Sequence, residues 1–357
     1  MPNEKKQVFA ALVAACVIFA VPILDAVLPK SPAYWQTASV MSPPRFFAEA
    51  AASPTTTADE APESAVTPAP TVSPIAINQS AQPNFQAPPL PNETKISPIF
   101  LRAAATENSR LRYGLAWSFG GKSQHGWFLY EPLIEKTIGA PPQANAGTPE
   151  FARALLDWQT RFGLAPTATL DDKTLYKLVE YWQSRRLNSS QYPTPDKLLT
   201  APISDFYDSS RDVQLTKVDR QTYAAYKRMV AAAARDKTLG LKTTASGELA
   251  LDEKFLKIVS AFRSREYQNQ LRRQSPNSGR AGLATNSPHF TGRALDVYVG
   301  GEPVTTKDFN RASQVQTPVY KWLVANAERF GFYPYYYEPW HWEYVGEQGV
   351  KSYAPAK

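Results

Sequence analysis

The chain has 357 residues, 43% of them hydrophobic, enough to bury cores for two domains of ordinary size. A formal charge of +7 suits an anionic surrounding, but no basic block stands out and no nucleic-acid partner is expected. One cysteine, Cys16, excludes an intramolecular disulfide and a cysteine-rich metal site, so a metal would have to be held by histidine and carboxylate.

Residues 1–30 read as a signal anchor or signal peptide. Lys5 and Lys6 precede an apolar run from Val8 to Leu24, close to the lower limit of roughly 17 to 25 residues for spanning a bilayer. The expectation is export to the cell envelope. No clean small-x-small site closes the run, which favours an uncleaved anchor in the cytoplasmic membrane, with the rest facing the periplasm or wall. The alternative is a lipoprotein, because VAAC ending at Cys16 loosely resembles a lipoprotein processing box.

Residues 31–98 hold 13 of the 31 prolines and little apolar periodicity, the composition of a disordered linker. As a flexible coil the segment would span roughly 45 Å.

A small all-α domain is expected over 105–187. Thr148 and Pro149 begin a helix with Phe151, Leu155, Trp158 and Phe162 on one face, ended by Gly163. Asp171 caps the next, whose stripe is Leu175, Leu178, Val179 and Trp182. Trp158 and Trp182 fall on these stripes and read as core. His125, in KSQHGWF, reads as a surface or locally bonded histidine. The unit FARALLDWQTRFGLAPTATLDDKTLYKLVEYW resembles small helical peptidoglycan-binding domains, with the pattern LxxFQxxxGLxxDGxxGxxTxxxL. The resemblance implies glycan or wall polymer as a partner. The family's DG pair is replaced within PTAT, Pro166 to Thr169, which alters the glycan-facing turn.

Residues 188–214, polar and proline-bearing, read as a second linker. An α+β domain follows over 215–350, with helices packed on a small antiparallel sheet. Asp219 opens a helix carrying Tyr223, Tyr226, Met229 and Val230; FLKIVSAF and ALDVYV read as strands, separated by a short helix that Ser264 caps. Thr317 and Pro318 start another helix, stopped by Gly331, and two short strands around YPYYYEPWHWEYV end the domain.

Two of the three histidines lie in this part, each near carboxylates. Strand alternation turns Asp296 away from Leu295 and Val297, and turns His341 and Glu343 away from Trp340, Trp342 and Tyr344. Gly292 lets the chain between His289 and Asp296 bend back tightly. Singly, each histidine is most simply structural. As a set, His289, Asp296 and His341 offer two imidazoles and a carboxylate with a fourth position open, the pattern of catalytic zinc. Glu338, stiffly linked to His341 through Pro339, is a candidate general base, and Arg263 a candidate oxyanion cation; a cap or a pair with Glu266 is the plainer reading of Arg263.

FRSREYQ, SPHFTGRALD and EPWHWEYVG resemble the three signatures of the VanY-like D-alanyl-D-alanine carboxypeptidases, zinc metallopeptidases of the M15 family, usually YRSxxxQ, SxHxxGxAxD and EPWHxRY. The resemblance covers roughly 215–347. It implies a hedgehog/D-Ala-D-Ala peptidase-like fold, Zn2+ bound by His289, Asp296 and His341, and Glu338 as general base. It also implies that Arg263 polarises the scissile carbonyl and that Ser287 and Gln268 shape the substrate pocket; Ser264 is placed with them on the substrate side. Ser287 as a turn residue and Gln268 as a helix-surface residue remain alternatives. The implied activity is hydrolysis of D-alanyl bonds in peptidoglycan stem peptides, with an endopeptidase or dipeptidase sharing the same residues. Glu343 stands where arginine is usual; the expectation is an effect on local charge or on the choice of substrate terminus, without contact with the ligand set. Two further classes stand beside this one. A mononuclear Fe(II) oxygenase is disfavoured by the seven-residue separation of His289 and Asp296, and a non-catalytic wall-binding protein by the presence of every expected chemical residue.

Overall fold

The structure, a computed structural model, describes residues 96–274 and 286–346. The apolar run 8–24, Cys16 and nearly all of the 31–98 segment lie outside them. Among the described residues no helix is long and apolar enough to cross a membrane.

The helical region begins earlier than the sequence suggests, with α1 (Pro98–Gly114). Proline at the first turn starts it. The helix buries only Ala104, Ala105, Asn108 and Leu111, a stripe too small and alanine-rich to announce itself. The region is not all-α as expected: an antiparallel hairpin follows, β1 (Ala116–Phe119) and β2 (Lys122–His125), turned by Gly120 and Gly121 at positive φ, with His125 exposed at its end. Then come α2 (Glu131–Ile138), α3 (Pro149–Arg161) and α4 (Asp172–Ser184). The expected caps form: Thr148 Oγ1 accepts from the Phe151 N–H at 3.3 Å and Asp171 Oδ1 from the Thr174 N–H at 2.8 Å. Trp158 and Trp182 are core residues, as read from their stripes. In the altered PTAT turn, Ala168 adopts φ +58°, and buried amides hold it from two sides. Gln159 Oε1 accepts from the Ala168 N–H at 2.9 Å, while Asn108 donates to the Ala168 carbonyl at 2.9 Å.

Residues 188–214, read as a linker, carry structure of their own. Leu198–Thr200 forms β3, paired antiparallel with β4 (Lys217–Asp219), and Ala201 and Phe206 are buried in the C-terminal core. The prolines that suggested a linker are compatible with a short edge strand, and the apolar Leu198, Leu199 and Phe206 supply its burial.

In the α+β region, Asp219 caps α5 (Arg220–Arg235) through the Thr222 N–H at 2.9 Å. Next come β5 (Ile258–Ser260), shorter than the strand read from FLKIVSAF, α6 (Arg265–Gln274) and β6 (Ala294–Val297). Then α7 (Asp308–Gln316), α8 (Pro318–Asn326), β7 (Phe332–Pro334) and β8 (His341–Tyr344) complete the described chain. The sheet runs β5-β6-β8-β7 with every neighbouring pair antiparallel. Its register sets Ser260 opposite Asp296 and Asp296 opposite His341, so three polar side chains line up across three strands. The opposite face carries Leu295, Trp342, Val297 and Trp340 into a core with Tyr226, Met229 and Leu323.

The two regions share packing. Tyr335, Tyr336 and Tyr337, between β7 and β8, join the core of the helical region, where the Tyr336 ring lies 5.8 Å from Trp182 and 5.2 Å from Phe119. Arg311 of α7 is buried at this seam and donates to the Tyr337 carbonyl at 3.2 Å.

Candidate metal centre

Three local devices bring the functional side chains together. The first is a 3-10 turn, Pro288–Thr291, whose preceding Ser287 accepts from the His289 N–H at 3.3 Å. Gly292 ends the turn at φ +70°, and a Cβ there would lie 2.9 Å from Leu198 and 3.0 Å from the Asp219 nitrogen, so glycine is required. The second device is the β6–β8 register, which sets Asp296 beside His341. The third is the turn from Glu338 to His341, closed by the His341 N–H donating to the Glu338 carbonyl at 2.9 Å. Pro339 occupies the second position, where its fixed φ suits such a turn.

His289, Asp296 and His341 are buried and place one ligand atom each within 4.8 Å of one another. Asp296 Oδ1 lies 3.3 Å from His289 Nε2 and 2.9 Å from His341 Nδ1. A tetrahedral ion ~2.0–2.1 Å from each donor would separate donors by ~3.3 Å, so the spacing fits. The other nitrogen of each ring is committed elsewhere. His289 Nδ1 lies 2.7 Å from the Ala261 carbonyl, which can only accept, so Nδ1 carries the proton. His341 Nε2 lies 3.1 Å from Glu343 Oε1, an ionised acceptor, so Nε2 is its donor. The nitrogens facing Asp296 are thereby left as lone pairs, and their convergence on a carboxylate is unfavourable unless a proton or cation lies among them. The donor set and its outer partners fit a divalent metal ion.

The charges follow this geometry. Burial acts to raise the Asp296 carboxyl, but His289 and Arg263 override it and hold Asp296 well below the usual range. Burial pushes His289 down to about 4, with Arg263 contributing. Burial also opposes charge on His341, yet its hydrogen bonds to Asp296 and Glu343 carry it up to about 9. In the metal-free protein the proton on His341 stands where a cation is wanted.

Glu338 sits beside this cluster. Its Oε2 is 4.0 Å from His341 Nδ1, while the buried Oε1 has no hydrogen-bond partner among the described residues. Burial pushes it up to about 8 against the pull of His341. Arg263 pairs with Asp296 Oδ2 through Nη2, donates from Nε to Ser260 Oγ at 2.8 Å and from Nη1 to Gln268 Oε1 at 3.3 Å. Its partner is thus the candidate ligand Asp296.

The structure brings His289, Asp296, His341, Glu338 and Arg263 together. The candidates for substrate contact are engaged with protein: buried Gln268 accepts from Arg263, buried Ser287 holds the His289 turn, and Ser264 accepts from the Tyr267 N–H at 3.1 Å, capping α6. Sequence reasoning missed Ser260, whose role depends on its register opposite Asp296. Glu343 requires correction: expected to stay clear of the ligands, it contacts His341 directly.

Residues 215–347 match the family model of VanY, D-alanyl-D-alanine carboxypeptidase. No curated protein matches the chain. The match covers the α+β region and supports a D-alanyl-D-alanine carboxypeptidase-like peptidoglycan hydrolase, with a His-Asp-His cluster where a metal-dependent family would need one.

Proposed function

We propose that the α+β region is a zinc-dependent D-alanyl-D-alanine carboxypeptidase acting on peptidoglycan stem peptides. The observation that carries this reading is the convergence of His289 Nε2, His341 Nδ1 and Asp296 Oδ1 beside Glu338 Oε1, which has no hydrogen-bond partner among the described residues. A divalent ion held by those three residues supplies Lewis-acid polarisation of the scissile carbonyl and acidifies a water molecule. Glu338 accepts the proton of the attacking water and returns it to the leaving amine, a role suited to a carboxyl whose burial raises its proton affinity. Arg263 places positive charge beside the developing oxyanion while Ser260 and Gln268 fix its guanidinium. Burial of the cluster excludes bulk water and strengthens these interactions.

Two variants separate the roles. Glu338→Ala retains zinc but loses hydrolysis by about 10²- to 10⁴-fold, the usual contribution of a general base; His341→Ala loses both. Zinc content and release of D-alanine from a pentapeptide are the measurements. A zinc-loaded, fully active Glu338→Ala protein overturns the assignment.

The wider reading is an envelope protein held to the cytoplasmic membrane by residues 8–24, with the helical region bound to wall glycan. The apolar run and the helical motif support it. Co-sedimentation of the full chain with purified sacculi, in chelator, tests the glycan part; a chain that stays in the supernatant overturns it.

A further inference from the structure

Glu343 lies two residues after His341 on β8, on the same face of the strand, and is fully buried. Both of its oxygens are engaged. Oε1 faces His341 Nε2 at 3.1 Å and accepts from Arg186 Nε at 3.1 Å, with Arg186 Nη2 in closer contact; Oε2 accepts from the Leu187 N–H at 2.8 Å. Arg186 and Leu187 follow α4, so these partners come from the end of the helical region. Arg186 is itself fixed: Nη1 donates to Gln183 Oε1 at 2.9 Å, and its guanidinium stacks 4.0 Å from the Tyr335 ring centroid.

Burying a carboxylate is strongly unfavourable unless it is paired and hydrogen-bonded. Here the compensating cation and N–H come from a segment more than 150 positions away in sequence, and the remaining contact is the outer nitrogen of a candidate ligand. A carboxylate in that position fixes the tautomer and orientation of an imidazole and raises its basicity toward a metal. We infer that Glu343, clamped by Arg186 and the Leu187 N–H, is a positioning residue for His341, so that the end of the helical region sets the metal affinity of the peptidase site. This rests on the reading of His341 as a metal ligand.

The test uses the full chain. Zinc affinity is measured by competition with a chromophoric chelator, and the visible spectrum of the cobalt(II)-substituted protein reports ligand geometry. Glu343→Gln weakens zinc binding by about 10- to 100-fold, as loss of outer-shell partners does, and alters the cobalt spectrum. Arg186→Met weakens it in the same direction. Because that change strands a buried carboxylate and can prevent folding, the double variant Arg186→Met with Glu343→Gln removes both charges. Its affinity is no lower than that of Glu343→Gln alone, since Arg186 acts through Glu343. Near-UV circular dichroism confirms that each variant is folded. A folded double variant with wild-type zinc affinity and an unchanged cobalt spectrum overturns the positioning role, while His341→Ala still abolishes binding. A wild-type chain that binds no zinc, or a His341→Ala chain that binds it undiminished, overturns the metal reading and this inference with it.

Discussion

His289 and His341 bring the same side chain to the same carboxylate oxygen and are held in different ways. His289 rides on a short turn, and its outer nitrogen is met by the backbone carbonyl of Ala261, a neutral partner a few residues from Arg263. His341 sits within a regular strand between two others, where the backbone is already spent on the sheet, so its outer partner has to be a side chain. That side chain is Glu343, and its charge calls in Arg186 from the helical region. The candidate ligand on a turn is oriented by a neutral carbonyl of its own α+β region, whereas the candidate ligand in a strand depends, through Glu343, on a cation from the helical region.

The largest effect removes what the two histidines share. Asp296→Asn strands the buried Arg263 guanidinium and deprives both rings of their common partner. Loss of one member of such a buried pair costs about 3–5 kcal/mol, and zinc binding is expected to disappear. Urea unfolding and metal analysis check this; a variant of unchanged stability contradicts the placement of Arg263.

A pH series separates the two sides. His341 is raised from 6.5 to about 9, so in chelator-treated protein its stabilisation is present below pH 6.5 and lost as pH rises through 9. His289 is lowered to about 4, so its neutral form stabilises above pH 6.5 and that contribution is lost as pH falls through 4. Glu338, raised from 4.5 to about 8, also loses stabilisation as pH rises through 8. Urea midpoints of the metal-free protein should therefore fall on both sides. In Glu338→Gln the alkaline fall persists at the higher pH of His341; its disappearance would break the contrast between the histidines.

The smallest effect touches one side alone. Ser287→Ala removes the oxygen that accepts the His289 N–H and should cost about 1 kcal/mol, as loss of a capping group does, while leaving the His341–Glu343 contact intact. Thermal unfolding measures the loss, and histidine NMR signals report whether His341 is disturbed.

Much of the site was legible because its determinants are local. Strand parity turned Asp296 and His341 each away from its apolar strand neighbours, and the capping residues Thr148, Asp171, Asp219, Ser264 and Thr317 act within three positions of themselves. Glu343 shows the limit. Parity put it on the correct face, but positions two apart on a strand stand ~6.6 Å apart. The imidazole ring spans that gap, and the cation that completes the contact has no sequence neighbour to announce it. The same physics hid the burial of Phe206 in a proline-bearing stretch and the passage of Tyr336 into the helical core. Each depends on tertiary packing that composition does not encode.

Metal-dependent removal of D-alanine is open to direct measurement. The full chain, stripped by chelator and then reloaded with zinc, is incubated with muropeptides ending in D-alanyl-D-alanine, and the products are identified by mass. The stripped protein should cleave nothing, and the reloaded protein should release a single terminal D-alanine. Undiminished cleavage without metal, or intact muropeptides after incubation with the folded, zinc-loaded chain, would contradict this.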